Sequence, residues 1–191
     1  WKLHSGLLQE ALQMLGVSPD IDLFASQLNH QFERYVSFRP DPNACMTDAF
    51  SMPWNGYSIY CFPPFSLLPR VLRKITSDQA EGIVIAPVWK NQLFWPMLTS
   101  MLRQHPVFLS SRESLLSQPS DSKLKHPLRK KLQLLVCNVS GISSAQVDFL
   151  RTLPTSSCHH GENPRKKCTT CTYASGIGTR VNGKWIQFRR L

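Results

Sequence analysis

The chain lacks the features typical of membrane proteins and of disulfide-stabilised secreted domains. No apolar run approaches the length of about 20 residues that a membrane helix needs, and no cleavable signal pattern stands at the start. Six cysteines in 191 residues are too few for a disulfide scaffold. We therefore expect a reducing intracellular compartment, the cytoplasm or the nucleus. The opening at Trp1, without an initiator methionine, favours a piece of a larger protein.

Acidic residues are scarce, and this points to a polyanionic partner. The 12 Asp and Glu residues are outnumbered by 22 Lys and Arg residues, which gives a formal net charge of +10. A basic surface gains affinity for nucleic acid by releasing counterions from phosphates. The alternative to nucleic-acid binding is that a neighbouring domain of a longer protein balances this positive charge. The residues expected to contact phosphate are Arg129, Lys130, Lys131, Lys166 and Lys167, although a solvated face is the alternative for the last two.

Hydrophobic periodicity predicts alternating strands and helices in the first half of the chain. A continuous apolar run over 82–87 is typical of a strand buried on both faces of a parallel sheet. This alternation of strands and helices predicts an α/β fold with a doubly wound, mainly parallel sheet. The predicted helices are 3–15, 66–76 and 93–103, and the predicted strands are 20–25, 35–38, 57–61 and 82–87.

A Ser-rich stretch without periodicity follows residue 110 and predicts a domain boundary. Four regions are expected: a leading helix and junction over 1–18, an α/β domain over 19–110, a linker over 111–125 and a less regular, basic C-terminal extension over 126–191. Within the extension, we expect possible helices at 126–135 and 143–153. The Asn182-Gly183 pair predicts a hairpin.

The element Phe62-Pro63-Pro64-Phe65 is the most informative part of the sequence. Two consecutive prolines cannot donate backbone hydrogen bonds, so they end the preceding strand and hold the backbone rigidly beside the aromatic ring. Phe65 can stack on a nucleic-acid base, which contributes roughly 1–3 kcal/mol. Phe62 offers no acceptor for an amino proton.

Three polar residues are candidates for holding a cofactor. Asp22 is predicted at the carboxyl end of the first strand of the α/β domain, where ligands bind in open α/β sheets. A carboxylate there can bind the ammonium group of a methionine-derived cofactor. The alternative is an aspartate that caps a turn. Asn29 and Asp48 are its possible companions, and Trp54 follows Asp48.

The order of these residues resembles a known family. A strand ending in Asp22-Leu-Phe-Ala-Ser, then Asn29, Asp48, Pro63-Pro64-Phe65 and a strand ending in Pro87 resembles the phage Dam-type adenine amino-methyltransferases over about residues 20–100. A closer resemblance is to the Dam-like domain that follows the reverse transcriptase and RNase H in polyproteins of DIRS-type tyrosine-recombinase retrotransposons. The segments that carry this second resemblance are Asp22-Leu-Phe-Ala-Ser, Tyr35-Val-Ser, Arg39-Pro-Asp-Pro, Asp48-Ala-Phe, Phe62-Pro-Pro-Phe, Ala86-Pro-Val-Trp, Leu153-Pro-Thr-Ser-Ser and Asn182-Gly-Lys-Trp-Ile.

The resemblance implies a Rossmann-like, methyltransferase-type parallel sheet flanked by helices. It also implies S-adenosylmethionine at Asp22, Asn29 and Asp48, and DNA or an RNA–DNA hybrid, together with the neighbouring reverse transcriptase and RNase H, as partners. Two departures argue against catalysis. Phe62 stands where the enzymes have Asp or Asn, and the segment after Asp22 lacks the Gly-x-Gly turn that lets a nucleoside approach the backbone.

We therefore expect a catalytically degenerate methyltransferase-like domain that binds nucleic acid or acts as a scaffold. The alternatives are an active S-adenosylmethionine-dependent DNA adenine methyltransferase and a purely structural spacer.

A cluster of cysteine and histidine near the C-terminus has the composition of a zinc site. Cys158, His160, Cys168 and Cys171 could supply four thiolate or imidazole ligands to a tetrahedral Zn²⁺. The alternative is a linker that is rich in these residues by chance.

Overall fold

The computed structural model of the chain describes residues 1–112, 114–121, 124–153 and 177–191. In chain order, its strands are β1 (Lys2–Leu3), β2 (Ile21–Ala25), β3 (Tyr35–Ser37), β4 (Met46–Thr47), β5 (Ser58–Cys61), β6 (Glu81–Pro87), β7 (Val107–Leu109), β8 (Leu116–Ser117), β9 (Leu134–Ser140), β10 (Gly178–Val181), β11 (Lys184–Gln187) and β12 (Arg189–Arg190). The helices are α1 (Ser5–Leu15), α2 (Leu68–Ser77), α3 (Phe94–Ser100) and α4 (Ser143–Thr152).

A mostly parallel sheet forms the centre of the described chain, in the order β12-β7-β9-β6-β5-β2-β3-β4. Strands β4, β3, β2, β5 and β6 run parallel, and β9 is antiparallel to both of its neighbours, β6 and β7. Helices cover both faces of the sheet. The architecture is therefore mixed α/β and compatible with a Rossmann-like fold.

Helix α1 covers one face of the sheet and α2, α3 and α4 pack on the other. Helix α1 buries Leu8 and Leu12 against that face, and it ends at Gly16, whose φ of 62° and ψ of 34° form a left-handed cap. Helix α2 nearly coincides with the predicted helix 66–76 and carries an apolar stripe that is fully buried in the core on this face. The residues of this stripe are Leu68, Val71, Leu72 and Ile75.

The second half of the chain is built differently from the sequence prediction. The segment 126–135 was expected to be helical, but it forms a turn at 127–131 that leads into β9. Strand β9 lies between β6 and β7, so residues 134–140 belong to the centre of the same sheet and not to an extension beside it. The apolar run Leu134–Val136 fits this place, because β9 is buried along its whole length.

Two other predictions in this half are confirmed. Helix α4 spans most of the predicted 143–153. Strands β10 and β11 pair antiparallel around Asn182 and Gly183, whose φ values of 48° and 78° suit a tight hairpin turn.

Within the described residues, no helix is both long and apolar enough to span a membrane.

Candidate functional site

The candidate site lies at the carboxyl edge of the sheet, where the direction of strand addition reverses. Strand β2 has β3 on one side and β5 on the other, so the loops after β2 and β5 leave in opposite directions. Such a switch point leaves a crevice at the carboxyl ends of the strands. The loops that border it begin after Ala25 and after Cys61.

The loop after β5 forms a cavity of about 290 Å³, which we call the Pro-Pro cavity. Most of its wall is aromatic or apolar. It is lined by Trp1, Phe24, Asn29, Phe62, Pro63, Pro64, Phe65, Leu116 and His126. The structure thus brings Asn29 and the Phe62–Phe65 element together at one cavity.

The aromatic rings in and beside the Pro-Pro cavity contact one another. The centroids of Phe62 and Phe65 lie 6.2 Å apart, and Trp89 meets Phe65 edge-on at 5.2 Å. Trp1 meets His126 edge-on at 4.7 Å. Burial lowers the pKa of His126 below its ordinary 6.5, so its imidazole is neutral at pH 7 and acts as a flat ring.

The polar groups of this cavity are engaged elsewhere. Asn29 Oδ1 accepts hydrogen bonds from the backbone N–H and the hydroxyl of Ser26, at 2.7 and 2.9 Å. Asn29 Nδ2 donates to the carbonyl of Trp1 at 3.5 Å. His126 Nδ1 accepts from the backbone N–H of Leu128 at 3.1 Å. The cavity can therefore hold a flat apolar group, but it offers little that would polarise an amino group.

A second cavity, of about 420 Å³, lies next to the first and is called the Asp48 cavity. Asp48 Oδ1 accepts from the backbone N–H of Phe50 at 3.0 Å, and the Arg70 guanidinium lies 3.8 Å from the centroid of the Phe50 ring. Asp48 has a φ of 58°, which non-glycine residues rarely adopt. The cavity is lined by Leu23, Phe24, Ala25, Phe38, Asp48, Ala49, Phe50, Pro64, Leu67 and Arg70.

Asp22 does not reach either cavity, which corrects the prediction for this residue. It is the second residue of β2, which ends at Ala25 as predicted, and it is only 2 % exposed. Its Oδ1 accepts from the backbone N–H of Phe24 at 3.3 Å and its Oδ2 from that of Gln31 at 3.1 Å. Burial raises the pKa of Asp22 to about 7, against the opposing effect of these bonds. Asp22 therefore caps the turn at the end of β2, as the alternative interpretation of the sequence has it. Its hydrogen bond with Gln31 holds the loop after β2.

The residues at this edge do not fit S-adenosylmethionine. The cofactor carries an ammonium group and a sulfonium, yet Asp22 is sealed in the sheet and Arg70 brings a positive charge to the Asp48 cavity. Phe24 and Pro64 line both cavities and so stand between them. The segment after Asp22 thus presents the ring of Phe24 to both cavities and contains no glycine turn that would let a nucleoside approach the backbone.

Three of the predicted phosphate contacts, Arg129, Lys130 and Lys131, follow His126, which lines the Pro-Pro cavity. Arg129 N–H donates to the His126 carbonyl at 3.0 Å, so the turn that contains Arg129, Lys130 and Lys131 begins at the cavity wall. Lys130 and Lys131 are exposed, and Arg129 is half-buried.

The other predicted sites lie outside the described residues. These are the phosphate contacts Lys166 and Lys167 and the zinc ligands Cys158, His160, Cys168 and Cys171. Among the residues that the structure does describe, no three His, Cys, Asp or Glu side chains are grouped to hold a metal ion.

Sequence reasoning missed the residues that shape the site most. Phe24 divides the two cavities, Trp89 extends the aromatic row, and Arg70 covers Phe50. For Phe24 and Trp89, the position next to the end of a predicted strand was a usable signal in the sequence. Phe24 is next to last in β2, and Trp89 follows β6 by two residues, so both stand where parallel strands present side chains to a ligand.

A scan against models of protein families finds no match to this chain, and a search of curated proteins finds none either.

Proposed function

We propose that the chain is a non-catalytic, methyltransferase-like domain that binds an unpaired base of a nucleic acid, within a retrotransposon polyprotein beside its reverse transcriptase and RNase H. The observation that carries the proposal is the Pro-Pro cavity. It presents Phe62, Phe65 and His126 to a flat ligand at the switch point of the sheet. A base stacks on such rings without a hydrogen-bonding partner.

The strand order supports the methyltransferase-like part of the proposal. The strands of this sheet can be renumbered in chain order, with β2 as the first and β9 as the seventh. Their spatial order from β4 to β7 is then third, second, first, fourth, fifth, seventh and sixth. The seventh, β9, is the reversed strand. This order, with one reversed strand inserted near the edge, is typical of Rossmann-like methyltransferases. The retrotransposon assignment rests on the sequence resemblance alone.

The chemistry of the site argues for binding without methyl transfer. Transfer to an exocyclic amino group needs an acceptor within hydrogen-bond reach of the amino nitrogen. Phe62 provides none, and Asn29 Oδ1 already accepts two hydrogen bonds from Ser26. The misfit of the cofactor at Asp22 and Phe24 points the same way.

The absence of catalysis is tested by transfer of a labelled methyl group from S-adenosylmethionine to DNA. We expect the unmodified chain to give no signal above the protein-free background, and calorimetry to detect no binding of the cofactor. Transfer well above background would overturn the non-catalytic assignment and favour an active adenine methyltransferase. Activity in Phe62→Asn but not in the unmodified chain would support the role given to Phe62.

Base binding is tested by the fluorescence of an oligonucleotide that carries one unpaired 2-aminopurine. Stacking on the cavity rings should quench this fluorescence, and Phe65→Leu should weaken binding about 5-fold or more, since base–aromatic stacking contributes roughly 1–3 kcal/mol. Tyr57→Leu is the matched control, because Tyr57 is half-buried at the opposite edge of the sheet. Equal effects of both variants would contradict the assignment of the cavity.

A further inference from the structure

The carboxyl edge of the sheet carries a row of aromatic rings that continues beyond the Pro-Pro cavity. Phe62 lies in the cavity wall, Phe65 borders it, and Trp89 meets Phe65 from the loop after β6. Trp89 is 37 % exposed, so part of its ring is open to solvent. The row therefore offers stacking surface both inside the cavity and outside it.

A basic turn stands beside this row. Strand β9 begins opposite the end of β6, with Leu134 paired to Pro87, and Val88 N–H donates to the Gln133 carbonyl at 3.0 Å. These contacts bring the turn at 127–131, and Lys125 shortly before it, to the same edge as Trp89. In the part of the chain that the structure describes, the exposed Lys125, Lys130 and Lys131 form no ion pair.

We infer that this edge binds a single strand of nucleic acid, with bases on Phe65 and Trp89 and phosphates on Lys125, Lys130 and Lys131. The inference rests on the proposed function and names the form of nucleic acid that the site takes. In a duplex, successive bases stack on one another and cannot also stack on a row of protein rings. A single strand exposes the faces of its bases and its phosphates together, and this combination matches rings that stand beside free lysines.

The turn itself is built to hold its charges in place. Lys131 N–H donates to the Leu128 carbonyl at 2.8 Å, and Leu132 N–H donates to the same carbonyl at 2.7 Å. His126 anchors the turn to the cavity through its contact with Trp1. The backbone that carries Lys130 and Lys131 is therefore held by hydrogen bonds, in a turn that follows directly after His126 in the cavity wall.

The inference is tested by fluorescence anisotropy with a labelled 12-nucleotide DNA strand of mixed sequence, with the duplex of the same sequence, and with the corresponding RNA–DNA hybrid. We expect the single strand to bind at least 10-fold more tightly than either double-stranded form at 0.1 M salt. Trp89→Ala should weaken binding of the single strand about 5-fold or more, and Trp89→Phe should restore most of it.

The basic turn is tested by the salt dependence of the same binding. Lys130→Ala with Lys131→Ala should reduce the slope of log affinity against log salt by about 1.4, because each phosphate contact on a single strand contributes about 0.7. Arg34→Ala with Arg73→Ala removes the same charge from exposed positions elsewhere and is the matched control. The control should leave the slope unchanged.

The outcomes separate this inference from the proposed function. Duplex or hybrid binding as tight as that of the single strand, or an unchanged affinity in Trp89→Ala, would overturn the inference while the cavity could still take an unpaired base. An equal change of slope in the control and in the lysine variant would also overturn it. If no form of nucleic acid binds, the proposed function itself fails.

Discussion

Asp22 shows at the scale of a single residue how a carboxyl group can hold a loop from inside a sheet. Both of its oxygens accept backbone N–H groups, from Phe24 and from Gln31, and the side chain is sealed from water. Burial destabilises the charged form of Asp22 by more than the two hydrogen bonds stabilise it. This is why the pKa of Asp22 rises to about 7.

This pKa predicts how stability depends on pH. Between pH 4 and pH 7 the unfolded chain has released the Asp22 proton, since the ordinary pKa is 3.8, while the folded chain retains it. The free energy of unfolding should therefore fall as pH rises through this window, by roughly 3–4 kcal/mol from this group. Asp22→Asn should remove that part of the pH dependence. The measurement is urea denaturation of both proteins at several pH values, and parallel curves would contradict the prediction.

The residues of the site were predictable where the chain chemistry alone decides their place. Two consecutive prolines, Pro63 and Pro64, cannot donate the hydrogen bonds that a central strand needs, and the structure has β5 ending at Cys61 just before them. The role of Asp22 was not predictable, although β2 ends where the predicted strand 20–25 does, because its burial and its hydrogen bond with Gln31 depend on how the loop after β2 folds back.

At the scale of elements, one glycine fixes how closely β5 and β6 can approach. Gly82 pairs with Ile59 and has a φ of 151°. A Cβ at this position would lie 2.1 Å from the Ile59 carbonyl oxygen, and backbone cannot yield as a flexible side chain would. The continuous apolar run of β6 predicted the strand, but the need for glycine follows only from its neighbour.

We expect Gly82→Ala to lower the free energy of unfolding by about 3 kcal/mol or more, through this clash and the strained φ. Gly16→Ala is the control, because Gly16 also has a positive φ, of 62°, but nothing lies within 4 Å of its Cβ position. The control should cost about 1–2 kcal/mol. Denaturant titration of both variants checks the difference, and equal costs would show that the β5–β6 contact can adjust.

Helix α2 was easier to predict than strand β9. The apolar stripe of α2 repeats every three or four residues and needs no partner to be recognised. Strand β9 follows a lysine-rich turn, and its place between β6 and β7 is set by pairing with residues far away in sequence. Local pattern gives no information on such a pairing.

At the scale of the whole molecule, the two halves of the chain share one sheet. Strand β9 supplies the partner for β6 along Glu81–Pro87, and β12 pairs with β7 at the edge. A fragment that ends near residue 110, where the sequence suggested a boundary, would expose the β6 edge to solvent.

We therefore expect fragment 1–125 to lack a cooperative thermal transition by circular dichroism, whereas the full chain should show one. The loss of β9 would leave Ile83 and Ile85 without the covering strand, and an open apolar edge promotes association. A sharp, reversible transition of the fragment at low concentration would show that the first part of the chain folds alone.

The late position of β9 in the chain also has a consequence for synthesis. The ribosome releases about 5–20 residues per second, so the interval between the appearance of Pro87 and that of Ser140 is on the order of several seconds. Throughout this interval the nascent chain carries β6 with one edge unpaired. Folding of the domain must then wait for translation, and a chaperone that covers an apolar strand has its opportunity in that interval.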